Sequence, residues 1–466
     1  MSETRIDSEI QPGRRRFLKA TTGVAAALAL PGQVLAAEGW TPPVGGGQND
    51  SDKLWKEVKK AFTLDKRNVY MNIGTTGSMP RHVLAQFEAN NAIVARDPWA
   101  MGHKFGGFSK MGDMIEEVAP GFGADSHEIV FSRNTTDGLC TILGGLQFQA
   151  GDVVLTTHHE HMGLKSPLDV ARRRYGIEVV ELEIPVDTGN NSVTEEDFVR
   201  VFADAVALYG SRVRLITFSH IPYVTGTVLP AKRICREVAV PNGIPTLVDG
   251  AHTIGMLNLD FHDIDCDFYA GSGHKWQCGP GATGILYVRN EAERLKTFWW
   301  DRPDPLLLVN SSRSESESLP LNQRLQYIGQ DHIPSKRALA DACLMWDSIG
   351  RDRIEARVSD LGLRCKQRLA AAFPGASIFS PMTAELNAGI TTINPFDDVT
   401  DGALLTRFRD RLREEYGYTI RTTSFALNKG DAVMTQALRI STHLFHDEQD
   451  VDGLVDAMSQ LYMDMA

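Results

Sequence analysis

The sequence predicts an α/β protein: a large domain with a mainly parallel sheet between helices, followed by a smaller α/β C-terminal domain. Two observations predict it. Short apolar runs at Glu128–Ser132, Asp152–Thr156, Val213–Ser219 and Thr246–Asp249 alternate with helical segments, the pattern of parallel strands covered on both faces. The chain also has 466 residues, 42% of them hydrophobic, which exceeds one ordinary compact core and suffices for a large unit plus a small one.

The N-terminus reads as an address. Arg14, Arg15 and Arg16 precede Phe17-Leu18-Lys19, an uncharged apolar stretch runs from Ala20 to Leu30, and Val34-Leu35-Ala36 offers a small-residue cleavage site. Paired arginines with that spacing match a twin-arginine export signal over residues 1–36, whose apolar part is too short to span a bilayer. The mature chain is therefore expected to be periplasmic or otherwise exported, with the twin-arginine translocase as a transient partner and no stable membrane insertion. Residues 37–50, rich in Pro and Gly, read as a linker.

Residues 51–84 form an N-terminal segment expected to pack with the small domain. In it Leu54, Trp55, Val58 and Phe62 recur at helical spacing, and Val69–Asn72 leads into a Gly-rich turn at Gly74–Pro80. The large domain is assigned to 85–310. Ser311–Ser318 is polar and of low complexity, so 311–332 reads as a mobile connecting loop. Residues 333–466 give helices at 338–349 and 353–373 and short strands near Ile390 and Ala437, the small domain.

Charge and cysteine usage narrow the chemistry. A net charge of -11, with basic residues gathered at the very N-terminus, argues against a nucleic-acid partner. The six cysteines show no CxxC or CxxH spacing, so neither a metal nor a disulfide framework is indicated, and each reads as a small buried apolar group.

The chemistry-bearing residues lie at strand ends. Asp249 closes the apolar run Thr246–Asp249, and Lys275 follows in the run Tyr269–Trp276. A lysine becomes a Schiff-base nucleophile when its amine can shed its charge, and the resulting cofactor adduct becomes an electron sink when a carboxylate keeps the pyridine nitrogen protonated. Lys275 and Asp249 meet those two needs, which points to pyridoxal 5'-phosphate.

On these residues the chain resembles the class V aminotransferase family of fold type I pyridoxal phosphate enzymes, and within it the isopenicillin N epimerase-like members. Its leader is similar to that of the periplasmic family member of pyoverdine maturation. The resemblance implies that Thr135 and Thr136, in the turn Asn134–Leu139, hold the cofactor phosphate with Ser272 and His274. It implies that His161 stacks on the pyridine ring, with His158 and His159 leaving the register open and a local metal site as a competing reading, and that His252 touches the phenolic oxygen. Arg439 would clamp the substrate carboxylate, with Arg421 as a second candidate. Tyr223 stands where many relatives carry Asn, and could stack on the cofactor or act as an acid. Gln330 stands where relatives often present a Thr to the phosphate of a neighbouring subunit, in a family that shares its site across a homodimer.

The expected reaction starts at the α-carbon of an amino acid, or of the amino-acid end of a peptide or secondary metabolite. Lys275 is the expected base and Asp249 the group that keeps the ring charged. Epimerisation and transamination-type tailoring both remain open. A thiol-dependent desulfurase is disfavoured because Thr422–Lys429 holds no cysteine. The alternatives are a C–S lyase or desulfurase-like enzyme, and a non-catalytic protein that binds the cofactor.

Overall fold

The computed structural model describes residues 41, 48–105 and 111–465. The leader expected at 1–36 lies outside the described residues. Among the described residues, thirteen strands form three sheets. The chain enters through β1 (Val69–Tyr70), which pairs in parallel with β11 (Tyr418–Thr419).

The largest sheet takes β2 (Ile129–Ser132), β3 (Val153–Thr157), β4 (Glu178–Leu182), β5 (Val213–Ser219), β6 (Thr246–Gly250), β7 (Phe268–Ser272) and β8 (Gly284–Val288) in the order β2-β8-β7-β6-β5-β3-β4. β4, β3, β5, β6 and β7 are mutually parallel, and β8 returns antiparallel between β7 and β2. Because side chains alternate along a strand, each apolar run feeds two cores. Phe131, Val153, Leu155, Ile216 and Val248 pack to one side, and Val130, Val154, Leu215, Leu247 and Ala270 to the other. Both faces are covered by helices, the condition a parallel sheet requires.

The second sheet orders β12 (Arg421–Phe425), β13 (Thr435–Ser441), β10 (Ile390–Asn394) and β9 (Ser377–Ile378), all antiparallel. Its core, built on Ile393, Leu438 and Ile440, takes in Leu361, Leu369, Leu405 and Leu454 from the helices Arg351–Ala372, Gly402–Tyr416 and Glu448–Met465. The segment after β1 ties the two sheets together. The Ser441 amide donates to the Met71 carbonyl at 2.9 Å, and the Gly77 amide donates to the His274 carbonyl at 2.8 Å.

Two boundaries differ from the expectation. The first helix, Gln48–Lys60, begins inside the stretch read as linker. The stretch 311–332 is not loop throughout, because it contains the helix Leu321–Gln326. Gln326 accepts from the Phe131 amide at 2.8 Å and donates to the Phe131 carbonyl at 3.1 Å. Its side-chain amide thereby satisfies the outer edge of β2 as a neighbouring strand would, which is why so polar a stretch is held against the sheet. A short helix, Ala100–His103, precedes the break in the described residues after 105.

Candidate active site

The carboxyl ends of parallel strands are where ligands enter such sheets, and there Asp249 ends its run on β6 and Ser272 closes β7. The helix Thr135–Gly145 starts beside them, capped by Asn134, whose side-chain oxygen accepts from the Asp137 amide at 2.9 Å. Gly138 lets this helix close on β7, since a Cβ there would lie 2.9 Å from that of Ala270. Together these ends wall a cleft of about 530 Å³, lined by Thr135, Thr136, His161, Tyr223, Asp249, His252, Ser272, His274, Lys275, Arg421 and Arg439. These include the lysine, acid, phosphate, ring and carboxylate residues expected from the sequence, while Gln330 is not among the lining residues.

Burial sets the electrostatics. Asp249 is 4% exposed and accepts from the Ala251 amide at 2.8 Å. Loss of solvent pushes its carboxyl up to about 6, against the pull of that hydrogen bond and of Lys275. Desolvation likewise lowers Lys275 to about 8, with Asp249 opposing and Arg439 and Arg421 assisting. A buried Glu160 sits behind this pair, accepting from Thr157 Oγ1 at 2.5 Å and from Ser219 Oγ at 2.5 Å. Burial, with Asp249 nearby, raises it to about 7. The sequence reasoning missed Glu160. Its only signal was a charged residue wedged among histidines after an apolar strand.

Of the three neighbouring histidines, His161 lines the cleft and His158 and His159 do not. His158 and His159 are buried, with rings 3.8 Å apart and His159 Nε2 at 2.9 Å from the Ala426 carbonyl. His161 instead caps the helix Met162–Tyr175, its Nδ1 accepting from the Gly163 amide at 3.0 Å, and lines the cleft. Gly163 is needed here because a Cβ would meet Thr136 Oγ1 at 2.6 Å. Tyr223 stands edge-on to His161, with centroids 5.2 Å apart at 87°, and burial raises its phenol. Gln330 is exposed and bonds only locally, to the Asp331 carbonyl at 3.2 Å.

Arg421 and Arg439 are direct cross-strand partners on β12 and β13. Like charges placed opposite each other destabilise a sheet, so the pair calls for an anion. Arg439 is 2% exposed, and burial, with Arg421 nearby, lowers it to about 10. The other groups that bear on its charge are Tyr223 and Tyr70, and no carboxylate is among them. It donates to Asn72 at 3.3 Å and Thr75 at 3.1 Å, while Arg421 reaches the same Thr75 hydroxyl at 3.2 Å. Asn72 and Thr75 were not singled out in the sequence, where they look like ordinary members of a Gly-rich turn.

The family profile of "Aminotransferase class-V" matches residues 69–454. The chain belongs to the aminotransferase class-V family. Class V enzymes are pyridoxal phosphate-dependent, and this chain is a class V aminotransferase-like enzyme of that kind. It is 29% identical over 412 residues to the isopenicillin N epimerase of Streptomyces clavuligerus, covering 87% of this chain and 98% of the epimerase. It is also 31% identical over 245 residues to a probable cysteine desulfurase of Methanothermobacter thermautotrophicus, covering 51% of this chain and 57% of that one. Among solved structures, the cystine C-S lyase C-DES superposes with a TM-score of 0.69 at 22% identity, over 84% of this chain and 98% of the lyase. A cysteine desulfurase from Thermococcus onnurineus NA1 gives a TM-score of 0.70 at 20% identity, over 88% and 98%. Both share the class V fold, an α/β architecture.

The class V cofactor fits the residues present. Thr135 Oγ1 and His274 Nδ1 are buried without a partner, beside the amides of a helix N-terminus, which together suit a phosphate. A buried acid and a half-buried lysine whose charge is disfavoured by desolvation face the same space, as a protonated ring nitrogen and an anchored aldehyde require.

Proposed function

We propose that this protein acts on the α-carbon of an amino acid, or of the amino-acid end of a peptide or secondary metabolite, by epimerisation or transamination-type tailoring. The observation that carries this reading is the facing pair Arg421 and Arg439, with no carboxylate among the described groups that bear on the charge of Arg439, in the same cleft as Lys275 and Asp249. Pyridoxal phosphate, when bound, supplies an electrophilic carbon for an amine and a ring that withdraws electrons from the carbon attached to it.

The chain's own residues do the rest. Thr135, Thr136, Ser272 and His274 hold the phosphate. Asp249 would accept the hydrogen of the ring nitrogen, and His161 would pack on the ring. Arg439 grips a substrate carboxylate in the two-pronged geometry of a planar guanidinium, with Arg421 beside it. Lys275, lowered to about 8, is neutral in about a tenth of molecules at neutral pH, so it can both anchor the cofactor and take the α-proton. Tyr223, kept protonated by burial, is a donor in the same cleft.

C–S lysis or desulfurase-like chemistry is the second reading, supported by the relatives of those names. A desulfurase thiol has no counterpart among the described residues lining the cleft. Cys278, close to Lys275 in sequence, is buried with His443 Nε2 at 3.6 Å, and burial pushes its thiol up. The leader motif supports export of the folded, cofactor-loaded enzyme by the twin-arginine route, and we propose a homodimer as the working form.

The test is to incubate the holoenzyme with amino acids and aminoacyl peptides in heavy water and follow the products by mass spectrometry. Deuterium at the α-carbon with the amine retained supports epimerisation, and an oxo acid with aminated cofactor supports transamination. Pyruvate with sulfide from cysteine moves the assignment to the lyase. Borohydride reduction should leave a pyridoxyl group on Lys275, and its absence there sinks the proposal.

A further inference from the structure

His252 is 4% exposed and follows β6, while Trp276 is fully buried directly after Lys275. Trp276 Nε1 lies 3.2 Å from His252 Nδ1, and His252 Nε2 lies 3.4 Å from Lys275 Nζ. An indole N–H is only ever a donor, so Nδ1 must be the acceptor, and the single hydrogen of the neutral imidazole sits on Nε2.

The indole is fixed in place. The carbonyl of Trp276 accepts from His443 Nε2 at 2.8 Å, and the His443 ring stands edge-on to the indole at 5.3 Å and 88°. Gly389 and Gly255 pack so closely on Trp276 that a Cβ would come within 3.1 Å and 2.5 Å of it, respectively. The charged groups that bear most on His252 are Lys275, Arg439, His161 and Arg421, all basic, and with burial they disfavour a positive ring although the Asp249 carboxyl lines the same cleft.

We infer that Trp276 is a positioning residue that fixes the proton of His252, so that the ring offers Lys275 a hydrogen-bond donor and never a base. An Nε2–H can donate to a neutral amine but cannot accept from an ammonium, which favours the neutral form of Lys275. It also leaves Lys275 as the one proton acceptor of this pair. The inference rests on the proposed role of Lys275, but the His252 tautomer can be measured independently of it.

The experiment has two parts. Two-bond proton–nitrogen NMR of the histidine-labelled holoenzyme, with His252→Asn to identify the signal, should show Nδ1 bare and Nε2 protonated from about pH 5.5 to about pH 8.5. Trp276→Phe removes the N–H but keeps an aromatic ring. With Nδ1 released, the imidazole can invert and accept from a protonated Lys275 nitrogen. The pH midpoint of the visible absorption of the lysine-linked cofactor should then rise by about one unit, a tenfold change, with kcat falling more than KM changes.

A wild-type His252 carrying its hydrogen on Nδ1, or a positive ring within that range, overturns the inference. So does an unshifted midpoint in a folded Trp276→Phe enzyme. If the variant does not fold, the wild-type spectrum decides alone. If the wild type takes up no pyridoxal phosphate, the proposed function fails, while the tautomer read in the cofactor-free protein still decides this inference.

Discussion

Replacing Asp249 with asparagine should stabilise the cofactor-free protein while disabling the enzyme. The carboxyl is buried behind a single backbone donor, Ala251, and burial raises it from 3.8 to about 6. For an acid whose pKa is higher in the folded state, the ionised form costs stability. Below about pH 4 both states hold the proton and there is no penalty; between about 4 and 6 the unfolded chain ionises first and stability falls; above about 6 the penalty is complete. The shift corresponds to about 3 kcal/mol.

Asparagine removes the charge and keeps an oxygen for the Ala251 amide. Part of the gain is given back, because Lys275 loses the attraction of Asp249 and becomes costlier to protonate. The expected net effect is about 1–3 kcal/mol of added stability near pH 7 and about none near pH 4, read by urea unfolding of the cofactor-stripped proteins. Turnover of the reconstituted variant should fall by about 10²–10³-fold, because the ring nitrogen loses its charge partner. A variant less stable than wild type near neutral pH, or a difference that ignores pH, would refute the reasoning.

Arg439→Lys keeps the charge but loses the planar fork, so KM for substrates with a free α-carboxylate should rise by about 10–100-fold, with little change for the corresponding amides; steady-state kinetics on both series checks this. Gly77→Ala would place a Cβ 2.0 Å from the Lys275 carbonyl oxygen and 3.0 Å from Cys278 Sγ. It should cost about 1–3 kcal/mol in thermal unfolding and slow cofactor uptake by displacing the lysine loop. Unaltered uptake and melting would show that the turn yields freely. Changing Arg14 and Arg15 together to lysine should retain the protein in the cytoplasm on cell fractionation, and an unchanged exported fraction would rule out the twin-arginine route.

The lysine–acid pair was legible because each residue sits in a short stretch with its own pattern. An apolar run ended by Asp249 marks a strand end, and Lys275 lies in a Gly-rich turn after the next strand. The paired basic residues of the small sheet were also visible one by one. Their relation was not, because Arg421 and Arg439 become partners only through the register of β12 on β13. The groups that hold Arg439, Asn72 and Thr75, come from 367 and 364 residues away in the chain.

The sequence by itself determined the parallel-sheet class, because hydrophobic period and strand ends are local properties, while the cofactor and the expected site residues came from the Lys275 and Asp249 pattern and the family resemblance. The sequence left open which histidine faces the cleft. That depended on where β3 stops and the next helix begins, which made His161 a cap and buried His158 and His159. It also misread the polar stretch around Gln326, since a polar side chain can be buried once a strand edge supplies both its partners. Tertiary structure decided the bond from Trp276 to His252, the sharing of Thr75 by two guanidiniums and the bond from Ser219 to Glu160. Each depends on atoms brought within hydrogen-bond distance by elements remote in sequence, and no local pattern records that proximity.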